Sequence, residues 1–391
     1  MVEVSDAVPG PEESKLSKGR EANWPVVLFF IHIHLLSLYG TWLLIYEVPP
    51  TYIIINGYVF PVVTLTSVAI LGMTTGAHRL WAHGAYKAST GLRIVLMLFQ
   101  TLAGVGSIYD WVQYHRFHHA HFATDNDPYD YNKGFVYSHF LTRLRKLSPH
   151  QEKLKAAIDM SDLEKDSVVM FQKRLYWGLY VVLFLLLPLN APLEYWDDTI
   201  LSSVFVIGFL RYLIVLHASW FIESAICVWG LMPGEKSPPD SNTVFILTKT
   251  FWPHYHYLVP YDYKSGEYGT YGKLSPTIIR SSESETNCEK IKKINGLSYD
   301  GLCDLCWICF FDSFTKTNKY YLWFFADSGC STAFIRVWAA LGLATNLKTV
   351  ETITVQKALA AAARTKKDLK TCIDAAVSKQ TLPEDHYLKR E

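Results

Sequence analysis

Four long apolar runs constrain this chain more than any other feature. They lie at roughly 25–45, 52–74, 175–192 and 199–222, and each reaches about the 20 residues that a helix needs to cross a bilayer. Inside hydrocarbon every backbone N–H and C=O must find its partner within the chain, so each run is predicted to be a helix. The expected class is all-α: a polytopic membrane protein with four transmembrane helices and a cytosolic helical cap. The turn between the first pair contains Pro49 and Pro50, and the turn between the second pair lies around Pro192, Glu194, Asp197 and Asp198. Neither turn has Lys or Arg, whereas the outer flanks carry Lys15, Lys18 and Arg20, then Arg79 and Lys87, then Arg143, Arg145 and Lys146. That asymmetry puts both turns in the lumen and both termini in the cytosol.

The formal net charge of +1 is too small to suggest a nucleic-acid binder or a strong electrostatic attachment to lipid. Residues 1–21 are polar, contain Pro9, Gly10 and Pro11, and read as a disordered cytosolic N-terminus rather than a cleavable signal peptide. The seven cysteines suggest no disulfide framework.

A fifth apolar run, about 91–108, sets a geometric condition. If it crossed the membrane, the histidines before and after it would lie on opposite sides; if it lies in the interface or folds back, both groups stay cytosolic. Gly104 and Gly106 permit irregular backbone at its end, and the interfacial or re-entrant reading is preferred to a true span. The first histidine group is His78-Arg-Leu-Trp-Ala-His83 and the second is His115-Arg-Phe-His118-His119. On a helix the latter three fall at i, i+3 and i+4 and share one face. Apposed neutral imidazoles suit iron or zinc, and protonating them together would cost repulsion. His32, His34 and His217 lie inside expected spans with no partner cluster in sequence, so helix packing or interfacial exposure is the expectation for them.

At these residues the chain resembles membrane acyl-CoA desaturases of the stearoyl-CoA type. Gly76-Ala-His78-Arg-Leu-Trp-Ala-His83 with Tyr86-Lys87-Ala88 resembles the first histidine box, and Asp110-Trp-Val-Gln-Tyr-His115-Arg-Phe-His118-His119 the second. Thr124-Asp125-Asn126-Asp127-Pro128, Gly134-Phe-Val-Tyr-Ser-His139, Leu210-Arg211-Tyr212 through Ala218-Ser219-Trp220, and Pro260-Tyr-Asp262-Tyr263-Lys264 continue the likeness over roughly 22–277 and 330–365. The resemblance implies two irons held by nine histidines, electrons from NADH through its reductase and cytochrome b5, O2 as oxidant, and a fatty acyl-CoA given a cis double bond, of Δ9 type, at the endoplasmic reticulum membrane. It carries the metal-ligand role to His78, His83, His115, His118, His119 and His256. It carries substrate contacts to the tunnel residues Trp111 and Trp220 and to the basic pair Arg145 and Lys146.

The chain also departs from that pattern. The family's Asn-Ser-Ala-x-His reads Glu223-Ser224-Ala225-Ile226-Cys227 here, and its third box, His-x-x-His-His, reads Pro253-His254-Tyr255-His256-Tyr257. Three ligand positions are therefore Cys227, Pro253 and Tyr257. Proline cannot bind metal and tyrosine is a poor ligand at its normal pKa of about 10. Glu223, Cys227 and His254 are the candidate replacement groups at the cofactor: an oxygen, a thiolate and an imidazole one residue out of register. One iron site can be completed, while a second lacks ligands, which leaves as alternative a desaturase-fold protein that binds lipid without oxidising it. The family pattern also breaks at 278–329, an insertion or, preferentially, a gene-model artefact. Its Cys303, Cys306 and Cys309 have no matching ligands for a zinc site. The pattern resumes in 330–391, where Ala358-Leu-Ala-Ala-Ala-Ala363 reads as a cytosolic helix.

Overall fold

The computed structural model describes residues 20–46, 59–195, 199–229, 253–265, 330–350, 352–365 and 367–378. The expected N-terminal tail up to residue 19, the expected turn with Pro49 and Pro50, Asp197 and Asp198 of the second expected turn, and the segment 278–329 lie outside the described residues. The chain divides into two compact units, one of residues 1–73 and 97–224, the other of 74–96 and 225–391.

The described residues are predominantly helical, and three helices are long and apolar enough to span a bilayer: α1 (Trp24–Tyr46), α6 (Ser167–Glu194) and α7 (Ile200–Ser224). Of the expected second span, α2 (Val59–Leu71) is described and passes into a π-helical stretch, Gly72–Ala82. The fifth run is interrupted by a sharp bend, the geometry of either a broken span or a re-entrant loop. It forms α3 (Thr90–Ala103), which bends by 82° into α4 (Ile108–Ala120). Gly104 and Gly106 make the corner at φ +70° and +99°, a region that side chains with a Cβ avoid. Ser107 then caps α4 by accepting from the Asp110 N–H.

Apolar side chains face outward from the spans, among them Leu35, Leu38, Ile45, Trp177 and Leu187. Polar groups hold the first unit together from inside. The Gln172 amide of α6 donates to Gln100 Oε1 at 2.6 Å and Thr101 Oγ1 at 2.8 Å and accepts from the Ile108 N–H at 2.8 Å, so one side chain fixes both arms of the corner. Arg211 is fully buried, yet its guanidinium reaches the carbonyls of Ile207, Leu102 and Phe184 at 2.8, 3.4 and 3.4 Å, the kind of pairing that a charge inside a bilayer requires. Helices α1 and α7 approach closely at Gly40, where a Cβ would collide with the Phe205 carbonyl. Small residues at such crossings let backbones pack without a hydrophobic driving force.

In the second unit a two-residue ribbon pairs β1 (Lys87–Ala88) antiparallel with β2 (Ala344–Thr345). A core of Tyr255, Leu258, Val259, Val350, Val355, Ala358 and Ile373 joins α8 (Pro253–Leu258) to α10 (Thr352–Thr365) and α11 (Leu369–Val377). The Arg79 guanidinium donates to the Tyr263 carbonyl at 3.0 Å and to Thr332 Oγ1 at 3.1 Å. It thereby brings together the two sequence stretches that flank 266–329, and the resemblance continues across them. Helix α9 (Cys330–Ala340) follows from this junction.

Candidate active site

His78 sits on the π-helical stretch and His83 just past its end, while His256 lies on α8. π-turns rotate side chains relative to an α-helix and recur where a site needs them re-aimed. The three imidazoles converge: their ligand-capable nitrogens lie within 4.8 Å of one another, and His78 Nε2 and His256 Nε2 are 3.0 Å apart. His78 and His256 are buried and His83 is half-buried. Two imidazole nitrogens that share a metal at about 2.0–2.1 Å stand about 3 Å apart, so the donor set fits one metal ion. Ser265 Oγ lies 3.1 Å from His256 Nδ1, which orients the ring and keeps Nε2 for the metal. The short helix Ile226–Trp229 packs on α8 and carries Cys227, which is buried. His254 is half-buried on α8 itself.

The second histidine group lies in the first unit, on α4. His115 and His118 are buried and His119 is half-buried. His118 Nδ1 is 2.7 Å from Asp127 Oδ1, which also accepts from the Tyr129 N–H at 2.9 Å. Trp111 stacks on His115 with centroids 4.9 Å apart and planes at 12°. Burial pushes the His115 imidazole below its usual pKa, opposed by the nearby Glu223 carboxylate. Glu223, read from the sequence as a candidate oxygen donor, has Oε2 at 2.8 Å from Arg143 Nη2 and Oε1 at 3.5 Å from His115 Nδ1.

Beside this group is a cavity of about 310 Å³ lined by Phe29, Phe30, Trp111, Leu216 and Trp220, with Arg143 as its charged member. Both tryptophans read from the sequence as tunnel residues thus line one apolar space. Arg145 and Lys146 are exposed. Their backbone is held by Arg20, whose guanidinium donates to the carbonyls of Thr142, Arg145 and Lys146 at 2.9–3.0 Å.

No protein-family model matches the chain. Over 255 residues it is 37% identical to an acyl-CoA Delta-9 desaturase of Acheta domesticus, covering 64% of this chain and 69% of that relative. An acyl-CoA Delta12-desaturase of the same species is 35% identical over 254 residues, 64% of this chain and 70% of its own. The human stearoyl-CoA desaturase is 38% identical over 204 residues, 51% of this chain and 57% of the relative. The chain belongs to the acyl-CoA desaturase family. As a member it has an atypical ligand set: among the described residues one histidine cluster, rather than two, is placed to coordinate metal.

One feature of this desaturase-family chain was not foreseen. His34 and His217, which have no partner cluster in sequence, are joined to each other and to His139. His34 Nδ1 lies 2.7 Å from the Phe30 carbonyl, His34 Nε2 lies 3.1 Å from His217 Nε2, His217 Nδ1 lies 3.0 Å from His139 Nε2, and His139 Nδ1 lies 2.8 Å from Ser224 Oγ. A carbonyl only accepts, so with neutral rings the protons are fixed in turn. His34 donates from Nδ1, His217 from Nε2 and His139 from Nε2, and the one hydroxyl proton of Ser224 is shared between His139 Nδ1 and the Trp220 carbonyl at 3.1 Å. The contact between His34 and His217 is the helix packing expected of them, and the partners were not legible because they lie 183 and 78 residues apart, on elements whose facing no local spacing reveals.

Proposed function

We propose that this chain is an acyl-CoA desaturase that introduces a cis double bond, of Δ9 type, into a fatty acyl-CoA at the cytosolic face of the endoplasmic reticulum membrane. Cytochrome b5 and its NADH-dependent reductase are the proposed electron source. The convergence of His78, His83 and His256 carries the reading, because three buried or half-buried neutral imidazoles at one point are a ligand set for a redox metal. Iron bound there supplies the reduction of O2 coupled to removal of hydrogen from the chain. The reaction balances when a CH2–CH2 pair gives two electrons and two protons, the donor gives two electrons, solvent gives two protons, and O2 leaves as two waters.

The residues supply the rest. His78, His83 and His256 bind the metal, and Ser265 aims the His256 ring. Cys227 and His254 are proposed as further donors in the same unit. Trp111 and Trp220 wall the apolar cavity, which orders an acyl chain and excludes water. Arg145 and Lys146, exposed and held by Arg20, suit the phosphates of CoA.

The test is expression of the full-length chain in cells lacking their own acyl-CoA desaturase, fed isotopically labelled saturated acyl chains. A labelled cis-monoene that disappears in His78→Ala supports the reading, and its bond position reports the regiochemistry. Folded, iron-loaded protein that gives no monoene refutes it and leaves the lipid-binding alternative.

A further inference from the structure

The first unit contains a buried ionic array that the proposed chemistry does not use. Glu223 is 2% exposed, and a buried carboxylate needs a positive partner. Beside two histidines a metal ion is one such partner. In this chain it is Arg143, at 2.8 Å from Glu223 Oε2. The guanidinium is itself held in place: Nη1 donates to Tyr129 OH at 2.8 Å, and its Cζ lies 4.2 Å from the centroid of the Tyr129 ring and 5.5 Å from that of Trp220. Arg remains charged at any pH that a protein meets, so it cannot withdraw by losing a proton. Two of the three imidazoles of this group have carboxylates at Nδ1 already, with His118 on Asp127 at 2.7 Å and His115 3.5 Å from Glu223. A dication entering between them would meet a fixed cation at short range and find Glu223 already neutralised.

We propose that Arg143 stands in for a second metal ion: its guanidinium neutralises Glu223 beside His115 and His118, so the protein binds one iron where its resemblance to two-iron desaturases implies two. The proposal deepens the reading above, which places the single metal on His78, His83 and His256. Glu223 is then an orienting partner of His115 and not a ligand.

The test counts metal in the full-length chain purified in detergent, with iron and with cobalt(II) as a redox-inert spectroscopic probe, while circular dichroism and thermal unfolding confirm the fold. Wild type is expected to hold one tightly bound ion. Arg143→Leu frees the carboxylate and is expected to hold one more than wild type. Arg143→Leu combined with Glu223→Gln removes the carboxylate as well and returns to the wild-type count. Arg143→Leu with His78→Ala keeps the newly opened ion and loses the other, so the two sites are read separately. If wild type holds none and Arg143→Leu holds one, the His78 site fails while the role of Arg143 stands. Two tight ions in wild type overturn the proposal without any variant, as does a folded Arg143→Leu protein with no gain.

Discussion

Replacing His217 by Leu removes the centre of the imidazole relay and leaves its two neighbours without their shared partner. His139 is 4% exposed, so its Nε2–H loses a hydrogen bond in a site that water does not replace, a cost of about 1–3 kcal/mol. His34 Nε2 loses its donor within a span, where such bonds average about 0.6 kcal/mol. Together the substitution is expected to destabilise the protein by about 2–4 kcal/mol, a large share of a typical total of about 5–15 kcal/mol. The assay is denaturant unfolding in mixed micelles, run as a double-mutant cycle with His139→Leu. Because both substitutions break the same bond, their effects are expected to fall short of additivity by about 0.5–3 kcal/mol. A loss below about 0.5 kcal/mol with additive effects would refute the relay as a structural element.

Three further outcomes follow from the geometry. Burial, then the neighbouring His217 and Arg143, lowers the His139 pKa from 6.5 to about 3. Its contribution is intact above pH 6.5 and is lost as pH falls toward 3, because the unfolded chain takes up the proton and the folded one does not. At about 1.4 kcal/mol per unit, stability drops by about 2 kcal/mol between pH 6.5 and 5, and His139→Leu should flatten that slope in pH-dependent unfolding. His256→Ala removes one of three converging imidazoles and is expected to weaken metal binding at least 100-fold by competition with a chelator, whereas Ser265→Ala, which only frees the ring, should weaken it about 10–100-fold. Gly40→Ala drives a methyl into the Phe205 carbonyl. Overpacking of that kind costs about 1–3 kcal/mol and should appear as a lowered unfolding midpoint.

The spans were legible because hydrophobic length is a local property. Residues 25–45 and 199–222 are recovered as Trp24–Tyr46 and Ile200–Ser224, and the bend after Ala103 was signalled by Gly104 and Gly106. The first and third boxes were legible as chemistry, and His78, His83 and His256 do converge. What the sequence did not reveal depends on helix facing across long separations. Arg143 read as a topology signal among other basic residues and proves to be the partner of Glu223, 80 residues away. His139 appeared only as part of a motif, and nothing local tied it to His217.

The imidazole relay also bears on how the protein is made. His34 is bonded to the Phe30 carbonyl within its own helix, so that bond forms as soon as the first span does. Its other nitrogen must wait for His217, which is synthesised 183 residues later. At about 5–20 residues per second, that is about 10–40 s during which a membrane helix carries an open polar atom. The first span is therefore left incomplete until the last arrives, and the relay closes late in assembly, as a latch that only the full set of helices can engage.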